Sequence, residues 1–416
     1  MLKKLSLILM AILICQTIVK SQTSDKADSA VLTLGFSTYL AHTDKYAAGF
    51  DIYSDSEGFT YVVGNTKDKN FPATEGAYQT ELKGDGTADV FVVKYTPEGE
   101  IVFATLIGGT KREHHSAITV DDEGFIYIAG GTHSPDFPVT DGVFDTSFNG
   151  EGSWAGDVFV TKLDPTGSKI IFSTFLGGEV EETLSSGGIK VDSKGNIIVV
   201  GMTKSHNFPL TRGHIADNEK MHGFVTKLSD GAKKLLFSTV FGSSTMESVT
   251  SVDIDDEDNI YLSGSTITEG LPVTENAFRK KMIMPSSGGV TDHYIVKLSG
   301  ADHQILYFSY FATDGFAGSP IAWTKPNKLT VCGSTRGKSF PASGNAISDT
   351  VKGRQDGYIA VFNSETMELE YATLFGGSEL ERVQSAGFIN EHTVAIGGTT
   401  SSADLPMTEN ALYPEF

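Results

Sequence analysis

Residues 117–138 read Ala-Ile-Thr-Val-Asp-Asp-Glu-Gly-Phe-Ile-Tyr-Ile-Ala-Gly-Gly-Thr-His-Ser-Pro-Asp-Phe-Pro. A short alternating run enters an acidic turn that closes on Gly124, and an aromatic and β-branched run leaves it. That pattern specifies a β-hairpin. The second strand ends in Gly-x-Thr, and the Phe-Pro pair then halts ladder pairing, because proline has no N–H to donate. The wording recurs along the chain. Bulky apolar-Pro pairs stand at Phe71-Pro72, Phe137-Pro138, Phe208-Pro209, Leu271-Pro272, Phe340-Pro341 and Leu405-Pro406, in steps of 66, 71, 63, 69 and 65 residues. A period of that size, filled with short β runs and glycine turns, marks a small sheet repeated around an axis.

The rest of the unit follows. After each Phe-Pro comes a link carrying Thr-x-(Gly/Asn)-Ala-aromatic, as at 74–78 and 274–278, whose Thr can cap a short turn. A third strand begins with Asp (89–94, 157–162, 292–297), and a fourth ends in small residues (101–106, 170–176, 235–241, 305–311, 369–375). The sequence therefore predicts an all-β chain forming a single β-propeller of six blades, each of four antiparallel strands. The chain opens with a lone strand at 34–40 and ends after two strands of the sixth unit, so the opening strand is expected to close the last blade and cover its edge. The expected division is 1–21 as a signal peptide, 22–33 as a lead-in and 34–416 as the propeller. One blade is short of a third strand on this reading, which 30–34 could help to fill.

Lys3 and Lys4 precede an apolar stretch from Leu5 to Val19, and Val19-Lys20-Ser21 offers a small-residue exit before Gln22. This reads as an export signal. The stretch is short for a membrane span of about 20 residues, and no later segment could cross a bilayer. Without Lys3, Lys4 and Lys20 the chain keeps 29 basic against 52 acidic side chains, a net charge of −23. That excludes nucleic acid and anionic membrane as natural partners and favours cation binding. Of the two cysteines only Cys332 follows the signal, so no intrachain disulfide forms after cleavage. The expected location is secreted, periplasmic or at the cell surface.

Four elements of wording carry a family resemblance: Phe-Ser-Thr-Phe-Leu-Gly-Gly at 172–178, Val-Asp-x-x-Gly-x-Ile at 191–197, Gly-x-Thr…Phe-Pro, and Asp-x-Phe-Val-x-Lys. Together they resemble the SBBP-type β-propeller repeat of exported bacterial proteins, over nearly all of residues 34–412. The fifth unit departs most, with Thr313 and Asp314 in place of its glycine-rich exit and Val361 in place of Lys. The resemblance implies a propeller and export. It carries no catalytic residues, and the family's name implies seven blades against the six repeats counted here.

Candidate chemistry collects at the links from strand four to the next strand one. Glu113, Glu182, Glu247 and Glu381 recur four residues after the second small residue of the Gly-Gly position, with Tyr46 and Ala317 in the other two units. Four carboxylates around one channel mouth would bind a divalent cation such as Ca²⁺ or a basic ligand group. The plainer reading is a repeated turn residue that caps backbone N–H groups. On the same mouth the residues after Gly-x-Thr are Lys67, His133, Lys204, Ile267, Arg336 and Thr400, with Lys111-Arg112 and His114-His115 in the neighbouring link. Such groups could orient an anionic substrate, with a histidine as acid or base; simple charge balancing is the competing reading. Trp154, in a Gly-rich link, could stack on a sugar or protein partner. Asp253-x-Asp255-x-Glu257 imitates a calcium loop but lacks its glycine and distant Glu, so it reads as an ordinary hairpin turn. Residues 333–339 imitate a phosphate loop one residue short and are rejected.

The sequence thus points to an exported, non-catalytic binding or scaffold propeller, contacting a protein or glycan ligand at a channel mouth. The alternative is a secreted polysaccharide hydrolase or lyase using the mouth carboxylates. The two differ in one feature: an enzyme should have one blade whose mouth residues depart from its sisters and converge.

Overall fold

The computed structural model describes residues 14–15, 34–36 and 47–406, apart from 151–154, 185–187, 216–219, 242–246, 268, 284–290, 313–319, 338 and 391–392. Blade 1 is built from Ala47–Ser54, Thr60–Thr66, Asp89–Tyr95 and Ile101–Ile107. Blade 2 uses Glu113–Val120, Ile126–Thr132, Asp157–Leu163 and Ile170–Leu176. In blade 3 the first strand is split into Glu182–Thr183 and Ile189–Val191, followed by Ile197–Thr203, His222–Leu228 and Leu235–Phe241. Blade 4 is Glu247–Ile254, Ile260–Thr266, Asp292–Leu298 and Ile305–Tyr310, and blade 5 is Ile321–Thr324, Lys328–Thr335, Asp356–Asn363 and Leu369–Phe375. Each of these five sheets is antiparallel, with its strands side by side in chain order. The sixth shows the hairpin Glu381–Asn390 with Thr393–Thr400. Residues 30–33, which could help to supply its missing third strand, lie outside the described residues. The opening strand is present at Leu34–Phe36, where its described partner is Ile14–Cys15 rather than the sixth blade.

The repeated words have direct structural causes. The aspartate of each acidic turn caps its own hairpin: Asp121 Oδ1 accepts the Glu123 and Phe125 N–H groups at 3.1 and 2.9 Å. Asp255 does the same for Glu257 and Asn259, which settles the calcium-loop imitation as a turn. The Lys of Asp-x-Phe-Val-x-Lys lies under this hairpin, with Lys162 Nζ 3.4 Å from Asp121 and Lys227 Nζ 2.8 Å from Asp192. Blade 5 lost both at once, with Pro326 in its turn and Val361 in the strand. The Phe-Pro phenyl stacks on the aromatic of strand three: Phe137 on Phe159 at 4.3 Å, Phe208 on Phe224 at 4.7 Å, Phe340 on Tyr358 at 5.2 Å between centroids. Beneath that aromatic runs the glycine of Gly-x-Thr. A Cβ on Gly264 would lie 2.1 Å from the Ser248 carbonyl oxygen and 2.4 Å from the Tyr294 ring. The link Thr straps the fourth strand: the Thr74 N–H donates to the Ala104 carbonyl at 2.9 Å, and the Thr74 hydroxyl accepts the Ala104 N–H at 3.1 Å. An outer edge otherwise open to pairing is thereby covered.

The apolar core sits between blades. Val63 and Val92 of blade 1 pack with Ile118 and Ile128 of blade 2, and Val158 and Val160 of blade 2 with Ile197 and Val199 of blade 3. The same layering continues to blades 4 and 5. Inner strands are also tied by polar bonds. Asp51 Oδ2 accepts the Ile118 N–H at 3.0 Å, Asp253 Oδ2 the Trp323 N–H at 2.6 Å, and the Ser334 hydroxyl the Val383 N–H at 3.0 Å. Lys190 of blade 3 reaches Asp253 of blade 4 at 3.0 Å. Asp253, and more weakly Asp51 of blade 1, hold the Lys190 ammonium above its usual range. Charges from blades 1, 3 and 4 therefore act on one another. Among the described residues no helix is long and apolar enough to cross a membrane.

Candidate functional site

The recurrent glutamates stand at the first position of strand one, opposite the Thr of Gly-x-Thr: Glu113 opposite Thr132, Glu182 opposite Thr203, Glu247 opposite Thr266 and Glu381 opposite Thr400. In blade 1 the register puts Ala47, not Tyr46, in that place, and in blade 6 Thr400 is the motif Thr itself, with Ser401 following it. All four carboxyls are buried. Glu113 Oε1 accepts the Thr132 and Ser134 hydroxyls at 2.8 and 2.6 Å, and Glu381 Oε1 accepts those of Thr400 and Ser402 at 2.7 and 2.6 Å. Glu182 accepts the Thr203 hydroxyl at 2.6 Å and the Gly178 N–H at 3.1 Å; Glu381 takes the Gly377 N–H at 3.1 Å. Glu113, Glu182 and Glu381 thus each close their own strand-to-strand link, the capping role that was the plainer reading of these residues. Among the described residues no group of three or more His, Cys, Asp or Glu is arranged to hold a metal ion.

These carboxyls meet a second set, the aspartates that open strand three. Asp157 and Glu182 converge on Gly177, where an added Cβ would lie 2.7 Å from an oxygen of each. Asp356 and Glu381 converge likewise on Gly376. Burial, with the Glu182 charge added, pushes the Asp157 carboxyl up to about 7, and burial raises Glu182. Burial also raises Glu113 well above the carboxylate range, with Asp89 adding to it. Paired acids this close cannot both ionise cheaply, so burial and like charge hold the Asp157–Glu182 pair toward one shared proton. At the seam between blades 3 and 4 a histidine replaces the aspartate, with His222 Nδ1 3.9 Å from Glu247.

Blade 2 departs from its sisters at the start of strand one. The structure brings His114, His115 and His133 together: the His114 ring lies 5.0 Å from that of His115 and 5.3 Å from that of His133, between centroids. The positions of His114 in the other blades hold Ala48, Thr183, Ser248 and Arg382. His114 is buried, whereas His115 and His133 are partly exposed. The register shift between His114 and Ala117 marks a β-bulge there. His115 sits in it at φ 46°, a conformation costing a β-substituted residue about 1–3 kcal/mol and found disproportionately at functional sites. Lys111 and Arg112 are exposed beside the trio, and the His133 N–H donates to the Arg112 carbonyl at 2.9 Å. Burial, reinforced by His115, pushes His114 down to about 3; burial and Arg112 lower His115. Both rings are therefore neutral at pH 7.

Arg336 is half-buried in blade 5, and Trp154 lies outside the described residues. Sequence reasoning missed the aspartate partners of the glutamates and the axial group Lys190, Asp253 and Asp51. The signal for Lys190 and Asp253 was unlike charge at one position, two residues before the turn aspartate, in successive repeats; Asp51 stands two residues earlier in its own repeat.

No family model matches the chain. The curated protein to which it is similar is regulatory protein FlaEY of Caulobacter vibrioides, 23% identical over 354 residues, which are 83% of this chain and 32% of that protein. The chain thus spans about a third of that relative's length. Among solved structures, a protein of unknown function from Dyadobacter fermentans superposes with a TM-score of 0.50 at 12% identity, covering 88% of this chain and 93% of that one. NanB sialidase of Streptococcus pneumoniae gives 0.48 at 8% identity, over 87% of this chain and 67% of that one. An α-L-arabinanase of Penicillium chrysogenum gives 0.47 at 8%, over 86% and 91%. Likeness at these identities speaks to fold alone. The class defined by the sheets is the β-propeller.

Proposed function

We propose that the protein is an exported propeller that binds an anionic polysaccharide at the mouth of blade 2 and cleaves it, with imidazole in place of carboxylate as proton acceptor. The observation that carries this reading is the histidine trio confined to blade 2. Two more groups support it: Lys111 and Arg112 beside the trio form a basic patch on a chain of net charge −20, which selects negatively charged ligands. Hydrolysis by a carboxylate pair fits poorly, because the recurrent glutamates are buried as link caps. Elimination fits better. A neutral imidazole takes the proton α to a uronate carboxylate while Arg112 offsets the developing charge. The resulting electron pair forms a C=C bond as the β C–O bond breaks, and the leaving oxygen takes a proton from the imidazolium or water. The export signal and the SBBP-like repeats support action outside the cytoplasm. The test is incubation of the purified chain with polygalacturonate, alginate and hyaluronate, reading unsaturated products by ultraviolet absorbance and binding by calorimetry. Saturable binding that weakens with salt, with products lost in His115→Ala, is expected. Binding without products would leave the non-catalytic module, and no binding of any polyanion at low salt would overturn the reading.

A further inference from the structure

The hydrogen bonds around His114 fix its proton positions. His114 Nε2 lies 2.7 Å from the Ala155 carbonyl oxygen, and a carbonyl can only accept. His114 Nε2 must therefore carry the proton. In a neutral ring that leaves a lone pair on His114 Nδ1, which lies 3.0 Å from His115 Nδ1. The second contact is a hydrogen bond only if His115 Nδ1 donates. The chain then runs His115 Nδ1–H to His114 Nδ1, and His114 Nε2–H to Ala155 C=O. We propose that His114 is a positioning residue that holds His115 in its Nδ1–H tautomer, so that the lone pair of His115 lies on Nε2, the atom that accepts the substrate proton.

This rests on the polysaccharide reading for its chemistry, but the tautomer follows from the hydrogen bonds of a neutral His114. The arrangement does the work that a carboxylate does behind a catalytic histidine: it sets the tautomer and the ring orientation. It differs in adding no negative charge, so His115 stays neutral beside Arg112 and His133. When Nε2 takes a proton, the ring keeps its Nδ1–H bond to His114, so no reorientation accompanies the transfer. His115 cannot slide from this geometry easily, since its backbone is fixed in the bulge at φ 46° and its ring packs edge-on to His114, 88° between planes.

The experiment is a long-range proton–nitrogen correlation spectrum of the histidine side chains of the full mature chain at pH 7. The expected result is His114 as the Nε2–H tautomer and His115 as the Nδ1–H tautomer. His115 found as Nε2–H, or either ring doubly protonated, would overturn the proposal whatever the activity. His114→Phe keeps a flat ring but removes both nitrogens. In that variant His115 should revert to Nε2–H, and kcat on a cleaved polyuronate should fall roughly 10²-fold with KM nearly unchanged. An unchanged His115 tautomer in a folded variant would also overturn it. If the wild-type tautomers are as expected while no polyuronate is bound, the relay stands and only the functional reading fails.

Discussion

Asp157→Asn probes the shared-proton seam between blades 2 and 3. The Asp157 carboxyl is raised from 3.8 to about 7 by burial and by Glu182. A group whose folded value lies above its unfolded one binds more protons in the native state between those two values. Its contribution is therefore complete below about pH 4, and it is lost as pH rises to about 7. At about 1.4 kcal/mol per unit, the shift corresponds to about 4 kcal/mol. Asparagine imitates the protonated acid: its oxygen can keep the Asn149 N–H bond, 2.7 Å in the parent, while its amide faces Glu182. Urea unfolding at pH 5, 6, 7 and 8 measures the effect directly. The wild type should lose stability across this range, and the difference from the variant should shift in the variant's favour by about 3 kcal/mol between pH 5 and pH 8. Glu182 and Glu113 add pH dependence of the same sign, so the comparison between the two proteins is the quantity that counts. A variant less stable than wild type at pH 8, or a difference independent of pH, would refute the shared proton.

Three substitutions test the repeat grammar by chemical unfolding. Gly264→Ala drives a methyl against a carbonyl and the buried Tyr294 ring and should cost about 3 kcal/mol; tolerance within 0.5 kcal/mol, on the order of an ordinary surface change, would contradict the close approach. Phe137→Ala removes the ring stacked on Phe159 and should cost roughly 3–5 kcal/mol, with no effect on histidine tautomers. Glu381→Ala leaves the Thr400 and Ser402 hydroxyls and the Gly377 N–H without their acceptor and should cost about 3 kcal/mol. If calcium or a chelator shifted the melting temperature of wild type but not of Glu381→Ala, that glutamate would be a cation ligand after all.

The fold was legible because each repeated word has one local cause: an aspartate that caps its hairpin, a glycine under an aromatic, a proline that ends pairing. Closely packed sheets leave little freedom in such words. Burial of the glutamates was not read, although a signal existed. A hydroxyl follows two residues after the Thr wherever the glutamate is present, as Thr-x-Ser at 132–134, 203–205 and 400–402 and Thr-x-Thr at 266–268, and Asp68 and Gly337 replace it in blades 1 and 5, which lack the glutamate. Hydroxyls that vary together with an acid mark its hydrogen-bond partners. The offset of one residue at Tyr46 and Thr400 came from counting along links, whereas ladder pairing fixes register from the opposite strand. The His114–His115–His133 cluster was visible only as neighbouring words. A bulge and a cross-strand position had to be known before three rings could be placed in contact.

The central claim is that successive sheets surround one axis, bringing blade 1 to blade 3. A double-mutant cycle on Asp51→Asn and Lys190→Met, by urea unfolding at low ionic strength, measures that meeting. Asp51 and Lys190 belong to first strands two blades apart, and the carboxylate raises the ammonium's pKa. A coupling energy of at least about 0.5 kcal/mol, shrinking with added salt, is the predicted result. Strict additivity of the two substitutions at low salt would mean that these strands do not face one another, and the arrangement around an axis would be wrong.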